Sequence, residues 1–246
     1  MSFPTVMFTL LFILLLTFAS NDFSFYYNLG IEATMAQDYK LAIEQFEKAL
    51  MYEPTHIEAR QLCGSAYITG FNDHINGLEH LQVAYEADKG SSSNIVMNYI
   101  EALRLNGRIS AALAAGYEYL SRHPADANVL HNTAVVEEDN GNYTGANQLF
   151  VECLNADRSH LNCWERSANL LISTGHYVEA ESLLERGLEI LPTAANLLFI
   201  AGLAKHYQNK FIEASAMYAR CVELDPSHAI VHVNLGAVYQ ALGSEY

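Results

Sequence analysis

An all-α solenoid of helix–turn–helix repeats, each 34 residues long, is the fold the sequence predicts. Two observations carry it: landmark residues return at a fixed step, and apolar residues follow the 3.6-residue period of amphipathic helices. Gly107, Gly141, Gly175 and Gly243 lie at multiples of 34, and so do Ala112, Ala146, Ala180 and Ala214. Pro124, Pro192 and Pro226 keep the same step, and Gly30 and Gly64 are one step apart. Ala42 and Pro54 match Ala112 and Pro124 after 70 residues, two periods plus two. The two extra residues fall near Phe71–Asn76 and within Lys89–Ser93, loop-like stretches where insertions cost little.

Six full repeats follow in order, at about 23–56, 57–92, 93–126, 127–160, 161–194 and 195–228, with a partial seventh at 229–246. In the first, Tyr26, Leu29, Gly30 and Ala33 form an i, i+3, i+4, i+7 face. A turn follows at Gln37–Asp38; Ala42, Phe46 and Ala49 then line a second helix, and Pro54 stops it. Small residues such as Gly30, Ala42 and Ala49 let two helices approach to about 8–10 Å, and Tyr26, Leu29 and Phe46 fill the space beside them. One repeat cannot bury its apolar face alone, so neighbours must stack. The seventh stops where its second helix should begin. It should leave Val231, Val233, Leu235, Val238, Tyr239 and Leu242 partly uncovered, which points to self-association or a partner at that end, or to a longer chain.

The first repeat, YYNLGIEATMAQDYKLAIEQFEKALMYEP, resembles the tetratricopeptide repeat nearly throughout, and the sixth, with Gly202, Ala214, Tyr218 and Asp225–Pro226, is also good. The third carries Gly116 where that family has a large residue, the fourth has Arg158 where proline is usual, and Trp164 takes the aromatic place at the head of the fifth. The resemblance covers about Phe23 to Tyr246. It implies a right-handed superhelix whose first helices line a concave groove, and it is specific for fold rather than function.

Ahead of the repeats, Met1 to Asn21 carry no charged side chain, and Val6 to Ala19 are almost wholly apolar. Fourteen residues rise about 21 Å as a helix, short of a hydrocarbon core of about 30 Å. Residues 1–20 therefore read as a cleaved secretory signal, with Ala19 and Ser20 near the cut, although no Lys or Arg precedes the run. A signal anchor is the alternative if Phe3 to Ser20 counts as the apolar stretch. The expected location is the secretory lumen or outside the cell, or the membrane if the segment stays. The balance of 28 Asp+Glu against 13 Lys+Arg, net -15, argues against nucleic acid and against anionic lipid surfaces.

No nucleophile-elbow, zincin, P-loop or dinucleotide fingerprint occurs, and no cofactor is implied. His74 and His80 are six apart and fall on different sides of a helix, so with Glu79 they make a poor metal set. Glu137, Glu138 and Asp139 before Gly141 are only loosely like a calcium loop, since Asn147 stands where its glutamate is required. The ten histidines are scattered, and those in turns (His56, His123, His160, His228) read as solvated turn residues.

Asparagine is the informative polar residue. Asn94, Asn128, Asn162 and Asn196 recur every 34 residues near first-helix starts; Asn28, Asn98, Asn132 and Asn234 share a second place one turn further along. Residues four apart share a helix face, so stacked repeats would align these amides to hydrogen-bond a peptide backbone. The O-GlcNAc transferase superhelix, which this resembles, uses an asparagine ladder in that way. Helix capping is the competing reading, strongest for the Asn94 set. Tyr27, Arg104, His131, Glu165, Asn169, Phe199 and Tyr207 complete the expected inward face. Tyr27 and Ile31 stand where a chaperone-type carboxylate clamp needs Lys and Asn, so that use is disfavoured. Cys153 and Cys163 lie across a turn and are a candidate disulfide, while Asn142-Tyr143-Thr144 is the one glycosylation sequon. The expected function is a non-catalytic scaffold holding an extended protein or peptide segment. The alternative is the substrate-recognition arm of a larger glycosyltransferase or hydroxylase.

Overall fold

A computed structural model describes residues 22–243, and the signal or anchor segment expected at 1–20 lies outside them. Thirteen helices and no strand occur among the described residues. None of these helices is long and apolar enough to cross a membrane. The chain divides into two compact units, Met1–Arg122 and His123–Tyr246.

The N-terminal unit holds three hairpins: α1 (22–35) with α2 (Tyr39–Tyr52), α3 (Ile57–Phe71) with α4 (His74–Asp88), and α5 (Ser93–Leu105) with α6 (Ile109–Arg122). The C-terminal unit holds α7 (Ala127–Asp139) with α8 (Tyr143–Ala156), α9 (Leu161–Ser173) with α10 (Tyr177–Ile190), α11 (Ala195–Tyr207) with α12 (Phe211–Leu224), and then α13 (Ala229–Gly243). Within each unit a hairpin packs on the next, as α2 does on α3 and α10 on α11.

The turn inside each hairpin explains part of the period. Gly107, Gly141 and Gly175 adopt left-handed backbone with φ of 69°, 78° and 81°. The next amide then reaches back to a carbonyl five residues earlier, as Arg108 N–H does to Leu103 O at 2.9 Å. Gln37 and Asn209 hold the same place in the first and sixth repeats with φ of 58° and 59°, where side chains make that conformation costly. The second repeat places its left-handed residues at Asn72 and Lys89–Gly90, at the two expected insertions.

The core repeats as the sequence does. Ala42, Ala112, Ala146, Ala180 and Ala214 are all fully buried. Glycine in the first helix admits an aromatic ring from the second: a Cβ on Gly30 would lie 2.5 Å from Phe46, and one on Gly202 only 2.3 Å from Tyr218. Trp164 is buried beside Gly187 and donates its indole N–H to the Arg158 carbonyl at 2.8 Å, so a backbone acceptor occupies the place where proline was expected. At α13, Val231 and Val238 are buried while Ile230, Val233 and Tyr239 are exposed.

Candidate functional site

First helices of successive repeats touch one another within each compact unit, α3 against α5 and α9 against α11. The candidate asparagines lie on these helices. Asn94, Asn128, Asn162 and Asn196 are each the second helical residue, and all four are exposed. They do not cap. Asp126 accepts from Val129 N–H and His160 from Cys163 N–H, so the caps of α7 and α9 stand two residues earlier. The capping reading fails because the N-cap is the last residue outside helical geometry, and these asparagines are already inside it. Asn28 is exposed; Asn98, Asn132 and Asn234 are half-buried. Asn234 donates to its own helix at the Ile230 carbonyl, whereas Asn132 Oδ1 accepts from His131 Nδ1 at 3.0 Å. Asn169 is exposed on α9.

The turn histidines correct the sequence reading. His56 stacks against Phe23 and Tyr27, His160 against His131, and His228 against Phe199, with ring centroids 4.5–5.5 Å apart. All three are half-buried. Tyr27, His131 and Phe199 hold the same place in their repeats, and each meets the histidine 29 residues on. That constant separation was present in the sequence but joins a first helix to the turn that follows the second, so a search within single helices misses it. Tyr27 also donates to Glu58 Oε2 at 3.0 Å; burial and that carboxylate push its phenol up to about 12.

Other expected groups fall into place nearby. Arg104 pairs with Glu101 at 2.7 Å, and Tyr207 stacks on Tyr177. Glu137 is buried and accepts from Asn142 Nδ2, while Glu138 pairs with Arg166 at 3.7 Å, which ties the acidic end of α7 to side chains. Asn142 is exposed and also caps α8, accepting from Gly145 N–H at 3.1 Å. The Cys153 and Cys163 sulfurs are bonded, with Cα atoms 6.5 Å apart.

One cysteine–histidine pair invites a catalytic reading. Cys63 Sγ lies 3.8 Å from His80 Nε2, and Arg60 donates to His80 Nδ1 at 3.3 Å. With Nδ1 accepting, the proton sits on Nε2 and points at sulfur, so the imidazole is not placed to take a proton from the thiol. Burial pushes the Cys63 thiol up to about 12, and burial beside Arg60 lowers the basicity of His80. The pair is a packed contact rather than an activated nucleophile.

Comparison with known proteins gives one family. Profiles described as tetratricopeptide repeat match residues 138–198, and also 23–56 and 195–228. No curated protein matches the chain. Among solved structures, PilW, a widely conserved type IV pilus biogenesis factor, is similar with a TM-score of 0.71 at 19% identity, over 88% of this chain and 98% of that one. Pseudomonas aeruginosa PilF gives 0.66 at 18% identity, over 93% and 99%. A chain of the APC/C hetero-tetramer Cut9–Hcn1 gives 0.66 at 14%, over 88% and 43%. Similarity at these identities is similarity of fold.

Proposed function

The chain belongs to the tetratricopeptide repeat family, and on that premise we propose that it is a non-catalytic scaffold whose first-helix face binds an extended peptide or protein segment. The observation that carries this reading is the row of first-helix amides left free of capping duty. An amide offers both a donor and an acceptor, so a row of them pairs with any peptide backbone without demanding one sequence. Tyr27, His131 and Phe199 add flat apolar surface beside the amides, and their histidine partners hold those rings in place. The net charge of -15 favours partners that are neutral or basic. The bonded cysteines, the exposed sequon at Asn142 and the apolar leader all suit a secretory route; a mature N-terminus near Asn21 tests it, and a retained Met1 refutes it.

The binding test is direct. Asn94, Asn162 and Asn196, all exposed, are changed to Ala together, and a peptide selected on the parent chain is titrated by fluorescence anisotropy. Loss of at least about tenfold in affinity is expected if each amide contributes an ordinary hydrogen bond. Unchanged affinity with intact far-UV helicity ends the proposal.

A further inference from the structure

Three soft donors meet where α8 hands over to α9. Cys153 in the last turn of α8, His160 at the cap of α9 and Cys163 in its first turn place their ligand atoms within 4.8 Å of one another. Both sulfurs are buried and His160 is half-buried. His160 Nδ1 accepts from Cys163 N–H at 3.3 Å, and its Nε2 donates to Asn128 Oδ1 at 3.2 Å. These partners fix the tautomer: the proton is on Nε2, and the Nδ1 lone pair faces the turn that holds Cys163. Stacking on His131 holds the ring at that angle. A histidine with one nitrogen anchored to an oxygen acceptor, and a ligand atom within 4.8 Å of both sulfurs, has the outer support of a metal ligand.

We infer that Cys153, His160 and Cys163 form a redox-gated zinc site. In the oxidised chain the two sulfurs are bonded to each other and cannot ligate. A thiol reductant supplies two electrons and two protons, the sulfur–sulfur bond breaks, each cysteine sulfur takes a proton, and the reductant leaves as its disulfide; with a phosphine, water supplies both protons and the oxygen of the phosphine oxide. Zn²⁺ then displaces both thiol protons and takes two thiolates and the Nδ1 lone pair, which gives up the Cys163 N–H it holds as the α9 cap in the oxidised chain. Two thiolates and a neutral imidazole balance the dipositive ion, which suits a buried place; a monovalent ion would leave net charge there. Cys163 stands in the first turn of a helix, where the positive end of the dipole favours the thiolate. The same two sulfurs serve both states, so disulfide and zinc exclude each other.

The full chain is reduced anaerobically with a phosphine, freed of metal, and titrated with Zn²⁺ against a chromophoric chelator. One Zn²⁺ per chain is expected in the reduced protein and none in the oxidised protein. Diamide, which oxidises the two thiolates back to the disulfide, should release the ion. Cys153→Ser or Cys163→Ser should abolish binding, and His160→Ala should weaken it about 10- to 100-fold, while Cys63→Ser with Cys221→Ser leaves it unchanged. Because a variant can misfold, Co²⁺ is also added to the unaltered reduced chain. Tetrahedral d–d bands with sulfur-to-cobalt charge transfer support the site. A reduced chain that binds no Zn²⁺, equal binding by the oxidised chain, or a Co²⁺ spectrum without sulfur charge transfer overturns it.

Discussion

Glu181 on α10 is the acceptor at the centre of an ion network, and replacing it with Gln should weaken the C-terminal unit in a pH-dependent way. Its side chain is only 13% exposed. Lys205 on α11 contacts it, Lys210 donates at 2.7 Å and Gln208 at 2.8 Å. Lys205 also pairs with Glu213 at 2.9 Å. Burial alone would raise the Glu181 carboxyl, but the bonds from Lys205, Lys210 and Gln208 outweigh it and bring the pKa from 4.5 to about 2. The fall from 4.5 to about 2, at about 1.4 kcal/mol for each tenfold in proton affinity, sets a ceiling near 3.4 kcal/mol. Lys210 is 39% exposed, so solvent screens its share, and about 2 kcal/mol is the working figure. The folded pKa is depressed, so the contribution is complete above about pH 5 and is lost as pH falls through 4.5 toward 2. Urea unfolding followed by far-UV circular dichroism, with amide exchange across α10–α12 to keep the reading local, measures it. Glu181→Gln should lie about 2 kcal/mol below the parent at pH 7, and the gap should close near pH 2. A variant within about 0.5 kcal/mol at pH 7, or a gap that does not narrow in acid, refutes the reasoning.

Three further outcomes follow from the packing. The Cys153–Cys163 bond closes a loop with a sequence separation of 10, so reduction in the presence of a chelator should lower stability by about 2.7 kcal/mol; an unmoved urea midpoint counts against a constraining bond. Gly202→Ala places a Cβ 2.3 Å from the Tyr218 ring, and overpacking of about 1–3 kcal/mol less about 1 kcal/mol of helix propensity should leave a net loss near 1 kcal/mol, read from the same denaturation curve. Gln37→Gly relieves a left-handed side-chain position at φ 58° and should raise stability by about 1 kcal/mol; a fall in midpoint would show that Gln37 carries a contact the turn geometry does not explain.

The candidate surface was only partly legible in the sequence. The places of Asn94, Asn128, Asn162 and Asn196 follow from the period, but whether they cap or face outward does not. A shift of two residues in the helix start decides it, and that start is set by backbone angles at Asp126 and His160. The histidine stacks were missed for a different reason. His56, His160 and His228 each close the repeat whose first-helix ring they touch, so the relation exists only once the second helix has folded back on the first.

What the chain alone determined is the unit: its length, its two helices, the small residues at their crossing and the glycine turns at 107, 141 and 175. These are local properties, written as a period because each turn of helix meets the same neighbour. What only the tertiary structure decided is which distant side chains meet: Glu181 with Lys205 and Lys210, Asn128 with His160, Cys153 with Cys163 across its turn. Those meetings depend on the angle at which one hairpin settles on the next. That angle is a compromise among all the packed side chains at once, and no single helix's periodicity contains it.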